Sequence, residues 1–212
     1  MRYAPRIKNR LPEKIKPIHF KTSAKGGKGE EMETNKKTNT KTIQIVMCAL
    51  FAAIIAVCAQ VTLPLPTQVP ITLHTFGTAL CAAVGGSFAG TVSTAVYVLL
   101  GAVGVPVFAA MRGGFDVLLG PTGGFLFGFI VMAFFCGIKA KHLWSRVGFS
   151  LIGLAVCYIC GAVQYALLMQ TDFITSVTLV VLPFILKDVL SIIAAQYMAI
   201  PIRKALANVL HN

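Results

Sequence analysis

From Thr42 to Asn212 the chain carries seven Lys/Arg, three Asp and no Glu. A soluble domain averages about 25% charged residues, which lets it wrap its core in a wettable surface. Here charged residues make up 12% of the chain and hydrophobic ones 56%, with a mean hydropathy of +0.77. A chain so poor in charge is solvated by lipid rather than water. The net charge of +12 does not point to nucleic acid, because residues 1–41 hold twelve of the nineteen Lys/Arg and four of the seven acids. It is a tail, not a basic face on a folded domain. Residues 1–42, rich in Lys, Gly, Thr and Glu and without hydrophobic period, read as a basic, disordered cytoplasmic tail. Its attraction to anionic lipid and its role in fixing orientation are both electrostatic. Residues 43–212 read as the membrane domain.

About twenty apolar residues cross ~30 Å of hydrocarbon at 1.5 Å per residue. On this criterion the chain predicts an all-α integral membrane protein with spans over 43–62, 71–88, 89–109, 123–138, 147–169 and 184–204. The first run is longer than the ~7–15 residues of a signal-peptide core and its charged leader is too long, so it reads as a retained span. Three prolines in LPLPTQVP forbid helix between spans 1 and 2. GGSFAG, near 85–90, turns span 2 into span 3. Pro183 suits the first turn of the last helix. With both termini in the cytoplasm, the inside receives the tail, Lys139, Lys141, Arg146, Arg203 and Lys204, which is seventeen of the nineteen Lys/Arg. That is the charge bias expected of inner loops. Arg112 and Lys187 are left toward the outer side.

One outer segment is unusual. RGGFDVLLGPTGGFLFGF (112–129) is dense in glycine, yet apolar sequence flanks it. It reads as a partly re-entrant loop between spans 3 and 4, since non-helical backbone is tolerated at membrane depth only where protein covers it or it lines a cavity. Its freed N–H groups suit a polar ligand. No Lys-Ser/Thr follows the glycines, so this is not a nucleotide phosphate loop. Gly120, Gly124 and Gly128 recur every four residues, the close-packing spacing of membrane helices, and Gly124 and Gly128 are expected to serve packing.

LLGAVGVPVFAAMRGGFDVLLGPTGGFLFGF (99–129), together with LPLPTQVPITLHTFGTAL (63–80) and LPFILKDVLSIIAA (182–195), resembles the BioY family, the substrate-specific (S) components of energy-coupling-factor biotin transporters. The resemblance runs in order over 43–204. It implies high-affinity biotin capture from outside by a six-helix protein of the bacterial cell membrane. A transmembrane coupling subunit and two ATPases would supply the energy. The chain itself has no ATP-binding loop, and biotin is the ligand rather than a cofactor. Docking on the coupling subunit would use small residues of the first helix, here Ala49 and Ala53, or Ala52 and Ala56. Two departures stand out: His74 replaces a usual Gln, and Ser191 occupies a position often held by Lys, one turn after Asp188.

Charged residues inside membranes cost roughly 2.5–3.5 kcal/mol on insertion scales and mark sites. Asp188 would accept a ureido N–H of biotin, with Lys187 and Arg112 as cations for its ureido oxygen or carboxylate. Asp188 also fits a helix-start cap. Gly113, Gly114, Gly120, Pro121, Thr122 and Gly123 supply loop contacts, and Thr72, His74 and Tyr97 complete the candidate set. The Pro-rich segment 63–70 is the expected lid. Asp116 pairs structurally with Arg112. Tyr165 is a candidate wall residue, and Trp144 belongs to the interfacial belt. Cys157 and Cys160 form a C-x-x-C without a partner pair, so no metal is expected. An enzyme is excluded because no Ser–His–Asp or H-E-x-x-H arrangement occurs, and His74 and His142 fall on opposite sides. An S component for another small vitamin and a solitary vitamin carrier stay open.

Overall fold

The computed structural model of the protein describes residues 27–63 and 69–211. The first 26 residues of the expected tail, and the middle of the expected lid, lie outside them. The chain divides into residues 1–39 and residues 40–212, and the second unit contains the apolar helices. Helix α1 (Gly27–Gln60) enters it and ends where Pro64 and Pro66 remove backbone donors. Two short antiparallel strands, β1 (Thr62–Leu63) and β2 (Ile71–Thr72), pair Thr62 with Thr72 and bring the two ends of the Pro-rich segment together.

Helix α2 (His74–Ala102) is broken at Gly86, whose φ of 86° and ψ of 174° lie outside the helical region. The limbs fold back on each other there. A Cβ added at Gly90 would lie 2.5 Å from Ala82, and the rings of His74 and Tyr97 are 4.9 Å apart. In one straight helix those two residues would be separated by roughly 34 Å. The turn expected around 85–90 is therefore made at Gly86, where glycine alone tolerates the dihedral without strain. The second limb stops at Ala102, short of the expected 109, because Gly104 (φ 106°) and Pro106 take the chain out of helix.

A short helix, α3 (Phe115–Leu119), precedes α4 (Gly123–Cys136) and α5 (Leu143–Met169). α5 ends on a left-handed Gln170 (φ 52°). The apolar connection before Pro183 forms a helix of its own, α6 (Phe173–Val180), and α7 (Leu182–His211) starts with Pro183 in its first turn. Among the described residues, Thr42–Gln60, Leu143–Met169 and Leu182–Leu206 are long and apolar enough to cross a membrane, and His74–Ala102 has that length and composition only with its two limbs counted together. α4 is a shorter apolar helix. The protein is a mostly helical, multi-pass membrane protein.

Two clusters hold it together. One joins α2, α4, α5 and α7 around Met132, Cys157 and Ile192. The other joins α1, α2, the following loop, α3 and the start of α4 around Ile55, Tyr97, Phe108 and Leu126. Lipid offers little hydrophobic drive between helices, so close approach of small residues does much of the work. Gly124 and Gly128 show this: a Cβ on either would come 2.4 Å from the Cys160 carbonyl oxygen or 2.7 Å from Cys157 Cα. On α1, Ala52 is 4% exposed and Ala56 packs against the second cluster. Ala52 thus faces the protein's own core, and Ala56 is half-buried beside it. Ala49 and Ala53 are exposed.

Candidate functional site

The segment between α2 and α4 folds over the helix ends and is pinned from two sides. Gly114 N–H donates to the Gly101 carbonyl (2.7 Å), and Phe108 N–H to the Arg112 carbonyl (2.9 Å). Ala110 and Met111 sit at φ 56° and 55°, a left-handed turn uncommon for residues with a Cβ. Gln60 of α1 holds it. Its Nε2 donates to the carbonyls of Val107 (3.0 Å) and Phe108 (3.1 Å), and its Oε1 accepts from Met111 N–H (3.0 Å). Gln164 of α5 holds the next stretch, donating from Nε2 to the carbonyls of Leu118 and Gly120, both at 2.8 Å. Buried backbone left unpaired costs several kcal/mol per group, and two side-chain amides remove that cost for these carbonyls.

Beneath this loop lie two adjoining cavities of about 220 Å³ and about 70 Å³. They share Pro70, Thr72, Ala109, Thr122 and Leu126 as walls. The larger adds His74, Tyr97, Phe108 and Arg112. The smaller adds Tyr158, Lys187 and Asp188. Most of the remaining surface is apolar, with a few convergent polar groups, the usual make-up of a small-molecule site.

The charged corner is built by α7, α5 and β2. Asp188, with its side chain 4% exposed, forms an ion pair with Lys187. Tyr158 O–H donates to Asp188 Oδ2 (2.7 Å), and Lys187 Nζ donates to the Thr72 carbonyl (2.6 Å). Neighbours along a helix point in different directions, so Lys187 reaches its pair by bending across toward Thr72. Asp188 Oδ1 lies against the lysine ammonium, outside regular hydrogen-bond geometry. His74 has an unsatisfied atom, Nε2. Its ring is held between Tyr97 and Phe129, the latter with centroids 4.1 Å away.

The structure thus gathers Thr72, His74, Tyr97, Arg112, Thr122, Lys187 and Asp188 on one pair of cavities. Among the described residues, Gly113, Gly114, Gly120, Pro121 and Gly123 line neither. They shape the loop instead: a Cβ on Gly113 would meet the Val105 carbonyl oxygen at 2.4 Å, and Gly114 sits at φ 117°. Ser191 also lines neither, and Tyr165 is buried in the first cluster. No group of three or more His, Cys, Asp or Glu suited to a metal occurs among the described residues.

Arg112 and Asp116 do pair, at 3.9 Å, with side chains 60% and 73% exposed. Exposed pairs are worth about 0–1 kcal/mol. Asp116→Asn is accordingly expected to change ligand affinity and melting temperature little, by no more than about twofold in Kd. A tenfold loss on titration would show that Asp116 touches the ligand. Sequence reasoning missed Gln60, Gln164 and Tyr158. Each is a hydrogen-bonding side chain inside an apolar run, a weaker form of the signal that marks a charged residue there.

This architecture is shared with a solved protein. The crystal structure of the S-component for biotin from an ECF-type ABC transporter superposes with a TM-score of 0.71 at 23% identity, covering 78% of this chain and 93% of that one. Among curated relatives, a biotin transporter BioY of Thermotoga maritima is 37% identical over 164 residues, 76% of this chain and 96% of the relative. A probable biotin transporter BioY of Pyrococcus horikoshii is 36% identical over 75% of this chain and 95% of its own length. The Lactococcus lactis biotin transporter BioY2 is 31% identical over 80% and 95%. These relatives are transporters, not enzymes. The BioY family model matches residues 32–208, which contain every helix that walls the two cavities, so the chain belongs to the BioY family.

Proposed function

We propose that this protein captures biotin at the outer face of the cell membrane and serves as the S component of an energy-coupling-factor importer. The observation that carries the reading is the buried Asp188, ion-paired with Lys187 and hydrogen-bonded by Tyr158, in an otherwise apolar cavity. Biotin's ureido ring has two N–H donors and one carbonyl, and its valerate chain ends in a carboxylate. In this reading a ureido N–H donates to Asp188 Oδ1, and Lys187 meets the ureido oxygen. The apolar ring and chain pack between Phe125, Phe129 and Leu126, and the carboxylate lies toward Arg112 in the larger cavity. His74 Nε2 offers a further polar contact.

Six crossings with both termini inside agree with the placement of seventeen of the nineteen Lys/Arg and with the break of α2 into two limbs. The family resemblance and the absence of a phosphate-binding loop in the sequence point to a coupling subunit and ATPases as the energy source. Ala49 and Ala53 would form the docking face. Calorimetric titration of the detergent-solubilised protein with biotin, thiamine and riboflavin tests the capture role. One-to-one heat for biotin alone is expected. Binding of another vitamin by a folded sample, without biotin binding, would keep the fold and overturn the substrate.

A further inference from the structure

Gln60, the last residue of α1, lines neither cavity. Its side chain nevertheless organises one wall of the larger one. Phe108, Ala109, Ala110 and Arg112 all line that cavity. They belong to a turn closed on itself by Phe108 N–H on the Arg112 carbonyl (2.9 Å) and Arg112 N–H on the Ala109 carbonyl (3.4 Å). Among the described residues, every hydrogen bond that ties residues 107–112 to another element runs to Gln60, at Val107, Phe108 and Met111.

The turn needs this hold. Ala110 and Met111 both sit at positive φ, 56° and 55°, a conformation that residues with a Cβ keep only where their surroundings fix it. Phe108 has a second anchor, since its buried ring packs edge-on to Tyr97 at 5.6 Å. Arg112 differs. Its side chain is 60% exposed and pairs at 3.9 Å with Asp116, an exposed pair that holds a guanidinium weakly. The backbone of the turn therefore decides where that guanidinium stands. The smaller cavity, with Tyr158, Lys187 and Asp188, takes only Ala109 from this turn, so whatever Gln60 does is confined to one end of the site.

We propose that Gln60 is a positioning residue for the carboxylate end of the ligand. It fixes the turn that presents Arg112 to the larger cavity, and does not itself touch the ligand. The inference rests on the reading above that the biotin carboxylate lies toward Arg112. A guanidinium meets a carboxylate through two parallel hydrogen bonds, so the contact depends on orientation. Without the three bonds of Gln60 the turn samples other conformations, and affinity falls by the fraction that still presents Arg112 correctly. The ureido end of the ligand, beside Asp188, keeps its contacts.

The test is calorimetric titration of the full chain in detergent with biotin and with biotinol, in which the valerate carboxylate is reduced to an alcohol. Both ligands carry the same ureido ring. Wild type, Gln60→Met, Arg112→Gln and the double variant are compared. Gln60→Met is expected to weaken biotin at least about tenfold, the loss when about one molecule in ten keeps the turn, and biotinol less than about twofold. The double variant is expected to bind biotin within about twofold of Arg112→Gln, because both changes remove one interaction. Partial unfolding lowers the stoichiometry for both ligands and leaves the ratio of their Kd values unchanged, so that ratio separates positioning from loss of fold. Gln60→Glu keeps the side chain's length and an acceptor for Met111 N–H but loses the amide donors, and is read in the same way if Gln60→Met does not fold. Equal losses for the two ligands, no loss for either, or losses that add in the double variant overturn the role of Gln60. An Arg112→Gln protein that keeps the wild-type ratio of the two affinities overturns the placement of the carboxylate instead, and the inference falls with it.

Discussion

Asp188→Asn is expected to weaken biotin binding by at least about thirtyfold, the effect of about 2 kcal/mol, the lower end of the cost of breaking a buried charge pair. Two effects act together. The neutral amide is a poorer acceptor for a ureido N–H than a carboxylate. It also leaves Lys187, which is held at the Thr72 carbonyl, with no negative partner. Because an unpaired buried cation also destabilises the fold, the double variant Lys187→Met/Asp188→Asn is measured alongside it. That protein should elute as a monodisperse, folded species and still fail to bind. Wild-type affinity in either variant by calorimetry would remove Asp188 from the site.

The second large effect comes from the smallest possible change. Gly123→Ala places a methyl group 1.7 Å from the Leu118 carbonyl oxygen and 2.6 Å from Gln164 Nε2. Judged by helix propensity alone, alanine at the start of α4 would stabilise the protein by up to about 1 kcal/mol. Steric overlap with backbone dominates, because overpacking costs about 1–3 kcal/mol and cannot be relieved by a rotamer change when the clashing atom is a carbonyl. The methyl group must push the 118–123 turn away from α5, which breaks the hold of Gln164 on Leu118 and Gly120. The expected outcome is a lower melting temperature together with a rise of at least about tenfold in Kd for biotin. A protein as stable and as tight-binding as wild type would show that the loop adapts freely.

Asp188 is legible in the sequence because a carboxylate in a hydrophobic run is costly enough to need a reason. The break at Gly86 is legible from the glycines around it. Its exact position is not, since Gly85, Gly86 and Gly90 all permit a turn and only packing against Ala82 and Gly137 selects one. The loop glycines are legible as special but not as to role. Several carry no ligand wall and instead let carbonyls pass within a methyl's reach. The alanines of α1 cannot be sorted by spacing alone, because both pairs sit four residues apart and only the fold shows that Ala52 is buried while Ala49 and Ala53 are exposed. Gln60 and Gln164 escape a reading of the sequence because the carbonyls they satisfy lie 47 and 46 residues away along the chain. No local pattern records that distance.

The break in α2 also bears on the surrounding bilayer. From His74 to Gly85 a limb rises only about 18 Å, and α4 only about 21 Å, against ~30 Å of hydrocarbon. On that flank a bilayer meets short helices and the folded segment between α2 and α4, while α5 and α7 present full-length helices. A membrane whose thickness matches one flank is mismatched to the other. Thinning beside the short limbs, or a tilt of the whole protein, resolves the difference at a cost of fractions of a kcal/mol per ångström. Acyl-chain length thus enters the energetics of the loop that roofs the site, although no lipid needs to touch the ligand.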